Sequence, residues 1–163
     1  MPEIINNYLS PASFTVSIER MPNVEFFCQS VSIPGLSTQP VELNSPTRAF
    51  YSQGDRLSYD DLNMSFIVDE EMNNYQEVLR WLEGIASPET TDQHKTYTAS
   101  QKLESDISVV ITNSHKNPNL KFTFTNAFPT SLGSIDLNVN TQDIAYATCD
   151  VTFRYGAFQV ENI

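Results

Sequence analysis

Two histidines, two cysteines and two pairs of adjacent carboxylates are the groups in this chain that could build a metal centre, a nucleophile or an acid–base couple. His94 and His115 are separated by 20 residues with no ligand-spaced acid or cysteine between them, whereas a zinc centre needs several N, S or O donors at short spacing. They read as loop histidines, and no metal site is expected. Cys28 and Cys149 lie far apart in apolar, strand-like runs, with no CxxC pair and no histidine nearby, and read as buried free thiols. Asp60/Asp61 and Glu70/Glu71 are sequence neighbours. Neighbours on a strand point to opposite faces and neighbours on a helix diverge by about 100°, so neither pair converges on one substrate. There is no GxSxG, no glycine-rich phosphate loop and no HExxH, and the chain holds five glycines in all. No catalytic residue, no cofactor and no enzymatic activity are expected.

What remains is a structural scaffold. The 163 residues suit one domain spanning 1–163, long enough to bury a core without a disulfide or metal. With 40% hydrophobic and 18% charged residues, and with Asn, Thr and Ser frequent, the composition suits a strand-rich protein. No apolar run approaches the roughly 18 residues of a membrane helix, so no membrane insertion is expected. The N-terminus lacks the basic start and apolar core of a signal peptide, which points to the cytoplasm. Net charge is −11, and between Asp55 and Asp92 ten acids face two bases. Tight nucleic-acid binding works through Lys and Arg neutralising phosphates, and this balance makes the chain a poor candidate for it.

Hydrophobic periodicity supplies the elements. "SFTVSI" (13–18) and "NVEFFCQSVSI" (23–33) read as strands of a hairpin joined at "ERMP". "TQPVEL" (38–43) is a strand weakened by Pro40, and residues 44–58 show no apolar period, which marks an extended arm. Leu62, Met64, Phe66 and Val68 alternate cleanly on one strand face. Asp69 is read as the N-cap of a helix over 69–86, with Glu70 and Glu71 in its first turn and a stripe of Met72, Tyr75, Val78, Leu79, Leu82 and Ile85. Residues 87–105 form a long polar loop. Strands follow over 106–112, 120–128 and 134–140, and a final one runs from Ala145 to Phe158. About seven strands and one helix predict a mainly β fold, an antiparallel sandwich or barrel with a helix packed across it.

Two stretches carry a resemblance. "GDRLSYDDLNMSFIVDEE" followed by a helix containing "LRWL", and "NAFPTSLGSIDLNVNTQDIAYATCDVTFRYGAF", resemble the tail tube proteins of contractile-tailed bacteriophages related to T4. The resemblance runs from Phe14 to Phe158 and is most specific at the Gly54-Asp55-Arg56 turn and the Phe128-Pro129-Thr130 turn.

The resemblance implies a subunit of hexameric rings that stack into the hollow inner tube of a contractile tail. The tail sheath surrounds such a tube, baseplate and terminator proteins border it, a tape measure protein occupies its lumen, and DNA is ejected through it without specific binding. It implies a place in the virion tail, assembled in the host cytoplasm. Residues 44–58 then form an inter-subunit arm carrying Arg48, Phe50, Tyr51, Gly54, Asp55 and Arg56, and Asp136, Asp143 and Asp150 are candidates to face the lumen. Two alternatives stay open: a baseplate-side initiator or terminator of the same fold, and a monomeric β-sandwich binding module using Tyr51 and Tyr59.

Overall fold

A computed structural model describes residues 9–44, 46–86, 103–113, 115–138 and 146–163. Its elements in chain order are β1 (Phe14–Ile18), α1 (Pro22–Phe27), β2 (Cys28–Ser32), β3 (Leu36–Thr38), β4 (Val41–Leu43), β5 (Phe50–Ser52), β6 (Leu57–Tyr59), β7 (Leu62–Ile67), α2 (Asn73–Ala86), β8 (Ser105–Thr112), β9 (Pro118–Leu132), β10 (Thr148–Arg154) and β11 (Ala157–Asn162).

Two antiparallel sheets share one strand. The hydrogen-bonded order is β1-β8-β9-β10-β7-β2, with β11 also paired to β9. The first half of β9 lies between β8 and β11, and its second half pairs with β10. The crossing point is Asn126, whose φ of 54° lies in the left-handed region that Asn tolerates better than most residues. Opposite it, β8 advances from Ser105 to Ile107 while β9 goes from Ala127 to Phe124, an extra residue that bends the strand. Asp106 Oδ1 accepts the Asn126 N–H at 3.1 Å and stabilises the corner.

The same corner splits the expected final strand. The chain leaves β10 at Arg154, turns through Tyr155 and Gly156, and re-enters the other sheet as β11, with the Gly156 N–H donating to the Thr125 carbonyl at 2.9 Å. Cys149, Val151 and Phe153 are buried on β10 as their alternation predicts, and Tyr155 is buried in the turn between the two sheets. Residues 134–138 carry no strand, and the remainder of that expected element, with Ala145, lies outside the described residues.

The expected first hairpin does not form. β1 pairs with β8 and β2 with β7, and α1 stands between them. Pro22 at the helix start has a fixed φ suited to that position, and Val24 is buried where a strand reading would leave the helix unnoticed. Glu25 Oε2 accepts the Ile18 N–H at 3.1 Å, which ties the helix to the end of β1.

Helix α2 covers one opening of the sandwich, starting at Asn73 and not at Asp69. Asp69 to Met72 form a turn, with the Met72 N–H donating to the Asp69 carbonyl at 3.0 Å and Met72 at a φ of 56°. The cause is Asn74. Its fully buried carboxamide donates to the Ile67 carbonyl at 2.7 Å and accepts from the Asp69 and Tyr75 backbones at 3.3 and 2.8 Å, satisfying the polar groups of the strand-to-helix turn. The buried stripe is Asn74, Val78, Trp81 and Gly84, with Tyr75, Leu82 and Ile85 half-buried beside it. Leu79 and Met72, assigned to that stripe from spacing, are exposed. Trp81, absent from it, is the largest buried side chain, 6.1 Å from the Phe153 ring, with its Nε1–H donating to the Leu103 carbonyl at 2.9 Å.

Of the long loop expected over 87–105, residues 87–102 lie outside the described residues. The cysteines are free: Cys149 is buried and Cys28 half-buried.

Candidate assembly interface

The arm is a β-ribbon, longer than the sequence indicated. β3 pairs with β6 (Leu36↔Tyr59, Thr38↔Leu57) and β4 with β5 (Val41↔Ser52, Leu43↔Phe50), so the chain runs out from Leu36 and back to Tyr59. Four strands of three residues each are too short for a recognisable period, and the expected arm over 44–58 therefore covers only the tip and the return leg. The alternation of Leu36 with Thr38 and of Val41 with Leu43, on either side of Pro40, was the available signal for the outward leg.

Each section of the ribbon has one apolar face. Leu43 and Phe50 are a cross-strand pair beside Val41, while Glu42 and Tyr51 pair on the opposite face. Leu36, Val41, Leu43, Phe50, Tyr51 and Leu57 are all exposed, Tyr51 at 67%. A two-stranded ribbon is only marginally stable alone in water, so these side chains are unused contact area. The Arg48 guanidinium lies 4.5 Å from the Phe50 ring centroid, a cation–π contact that holds the charge at the tip.

Gly54 sits where the two legs cross. A Cβ there would lie 1.8 Å from the Gln39 carbonyl oxygen, a backbone atom with no room to move. Asp55 and Arg56 follow it, both exposed. At the base the Asp60 N–H donates to the Gly35 carbonyl at 3.2 Å, and the Tyr155 hydroxyl donates to the Asp60 carbonyl at 2.9 Å. Burial raises the Tyr155 pKa above its ordinary value of 10.0, with the Asp60 charge adding to the effect. Arg154 Nε stands 2.6 Å from Asp61 Oδ1, which joins β10 to the start of β7.

Beside the ribbon, the second sheet presents a polar outward face. Ser30, Ser65 and Asp150 form one row across β2, β7 and β10, and Ser32, Asn63, Thr152 and Ser131 form the next, with Thr152 Oγ1 2.9 Å from Asn63 Oδ1. Asp150 is therefore exposed on this face. Asp136 is exposed in the segment after β9, and Asp143 lies outside the described residues. β2 and the second half of β9 form the two edges of this sheet, and the outer side of each has no strand partner among the described residues.

Candidate chemistry does not converge here. Among the described residues no group of three or more His, Cys, Asp or Glu is placed to hold a metal ion. His115 sits in the turn between β8 and β9, where Asn113 Oδ1 accepts its backbone N–H at 2.9 Å, and His94 lies outside the described residues. Asp61 pairs with Arg154 at the ribbon base, Asp60 holds Tyr155 through its backbone carbonyl, and Glu70 and Glu71 are exposed in the turn before α2.

Residues 1–161 match the family described as phage tail tube protein. The chain belongs to this family. A phage tail tube protein is a structural part of the virion tail and not an enzyme, which gives the exposed ribbon and the open sheet edges a setting in an assembly. The chain is similar to the tail tube terminator protein of Enterobacteria phage T4, 25% identical over 167 residues covering 96% of this chain and 91% of that protein. Among solved structures it resembles a chain of the extended sheath-tube complex of the PVC extracellular contractile injection system, with a TM-score of 0.68, 18% identity and coverage of 98% and 95%. It equally resembles a chain of the tube-terminating cap of the anti-feeding prophage, with a TM-score of 0.68, 17% identity and coverage of 98% and 94%. These likenesses show the fold, a mainly β architecture shared by tail tubes and contractile injection systems.

Proposed function

We propose that six copies of this tail tube family protein close into a ring on the axis of a contractile tail, and that such rings stack into the hollow inner tube. The observation that carries this reading is the pairing of two open edges, β2 and the second half of β9, on one sheet with an exposed apolar ribbon beside it. Open edges attract further strands, and a ring in which each subunit covers its neighbour's edge removes that liability. The ribbon then serves contacts between subunits, with Phe50, Tyr51 and Leu43 as apolar contacts and Arg48 and Arg56 as cations, the residue types favoured at interface centres.

In this arrangement the row of Ser30, Ser65 and Asp150 faces the lumen, with Asp136 as a further candidate. Hydroxyls and carboxylates give DNA no fixed cation to bind, so it slides through. The sheath outside, the baseplate and terminator at the ends and a tape measure protein within are the partners this position implies.

A second reading places the chain at the end of the tube as a terminator. It is favoured by the similarity to the tail tube terminator protein of phage T4. The two readings differ in stacking: a tube-body subunit adds rings without limit, whereas a terminating ring stops. Negative-stain electron microscopy at rising protein concentration tests both. Long tubes of uniform width with a six-fold end view are the expected result, single rings that never elongate would select the terminator, and a persistent monomer would overturn the ring itself.

A further inference from the structure

Strand β2 has a different device at each of its ends. It begins at Cys28, opposite Phe66, and ends at Ser32, opposite Asn63, while β7 runs antiparallel from Leu62 to Ile67. The ribbon leaves after Ser32 and returns just before Leu62, so it stands at one pole of the sheet. Helix α1, which precedes Cys28, and the Asp69–Met72 turn, which follows Ile67, both stand at the opposite pole. The helix that follows the turn adjoins α1, with Asn23 Nδ2 2.5 Å from Glu77 Oε1 between α1 and α2.

The chemistry of the two poles is complementary. The ribbon tip carries the exposed apolar pair Leu43 and Phe50, and Arg48 is the one charged side chain between Asn44 and Ser52. The opposite pole carries Phe26, 82% exposed, beside a cleft of about 450 Å³ lined by Phe14, Val16 and Cys28, together with exposed Met72 flanked by exposed Glu70 and Glu71. A bare phenylalanine at a helix end costs hydration free energy unless something covers it. Copies with a net charge of −11 repel one another, so a contact between them must set its cations against carboxylates.

We propose that the ribbon of one copy docks across Phe26 and Met72 of a second copy, with Arg48 set against Glu70 and Glu71. This rests on the reading that the chain assembles into rings, and it names the surface each ribbon lands on. The contact is heterologous, two different patches meeting, so it repeats from copy to copy along the strand direction and stacks rings without involving the lateral edges of the sheet.

The test is sedimentation velocity on the full chain as wild type, as Phe26→Ser, as Arg48→Glu, and as Arg48→Glu combined with Glu70→Arg and Glu71→Arg. All four positions are exposed, so each variant keeps the fold, as circular dichroism would verify. The expected result is loss of every species heavier than one ring in both single variants and its return in the charge-exchanged variant. Stacking by Phe26→Ser equal to wild type, or no return on charge exchange, overturns the proposal. A wild type that forms rings but never stacks overturns this contact and leaves the ring reading standing, whereas a monomeric wild type overturns both.

Discussion

The Tyr155 hydroxyl donates to the Asp60 carbonyl at 2.9 Å, a bond between the corner after β10 and the base of the ribbon, 95 residues away in sequence. Its ring meanwhile packs edge-on against Phe124 at 5.0 Å and Tyr59 at 5.9 Å. One residue therefore anchors the ribbon to the aromatic core. In Tyr155→Phe the packing is kept and the hydrogen bond is lost, a cost of about 0.5–1.5 kcal/mol. The expected outcome is a small loss of stability in urea titration together with faster amide exchange over residues 35–60. Unchanged exchange there would mean the ribbon base is held by other contacts.

Gly54→Ala separates the ribbon from the fold. The added methyl would collide with the Gln39 carbonyl oxygen, and only a movement of the two legs apart can relieve it. The legs lie outside the core, so calorimetric melting of the subunit should change little. Assembly should be lost, since the Leu43–Phe50 pair would no longer be presented at its native angle. Rings and tubes forming as in wild type would show that the ribbon does not serve assembly.

How far the fold could be read in advance follows the physical size of each signal. β7 and β8 are half-buried strands of six and eight residues, and their period of two is visible. Helix α2 is long enough for its stripe to appear, although Trp81 was missed because it sits between residues already assigned to that stripe. The ribbon strands have three residues each and no buried face, so hydrophobic patterning had nothing to report. The split between β10 and β11 is a property of the partner strand: the extra residue at Asn126 belongs to β9, and no local feature of residues 148–158 except Gly156 announces it. Of the candidate interface, the aromatic and cationic tip was legible by residue type, and Phe26 was not, because a strand reading gave it a face to hide on.

Trp81 is the single tryptophan, and its indole reports on α2 directly. Trp81→Ala removes the Phe153 contact, the bond to the Leu103 carbonyl and the Arg20 guanidinium stacked 4.9 Å from its ring centroid. Truncating a buried Trp costs about 3–5 kcal/mol, a large share of the roughly 5–15 kcal/mol that keeps a domain folded. The expected variant is soluble only at low temperature, with a melting point far below wild type. Trp81→Phe retains much of the volume and should recover part of the loss; if both variants melt alike, the indole N–H and the cation contribute more than packing does.

Cys28 gives the fold a dependence on alkaline pH. Burial pushes its thiol from 9.0 up to about 11, against a weaker opposing effect of the backbone at Ser30. Burial also raises Cys149, helped by the neighbouring Asp150 charge. Below pH 9 both thiols keep their protons whether the chain is folded or not, and stability does not depend on them. Between 9 and about 11 the unfolded chain releases the Cys28 proton while the folded chain holds it, so the folded state loses stability as pH rises through this window. Cys28→Ser should flatten part of the decline, leaving the part that belongs to Cys149 and Tyr155. The readout is the urea midpoint measured across the window for wild type and variant in parallel; identical slopes would mean that water reaches the Cys28 thiolate in the folded protein as freely as in the unfolded chain.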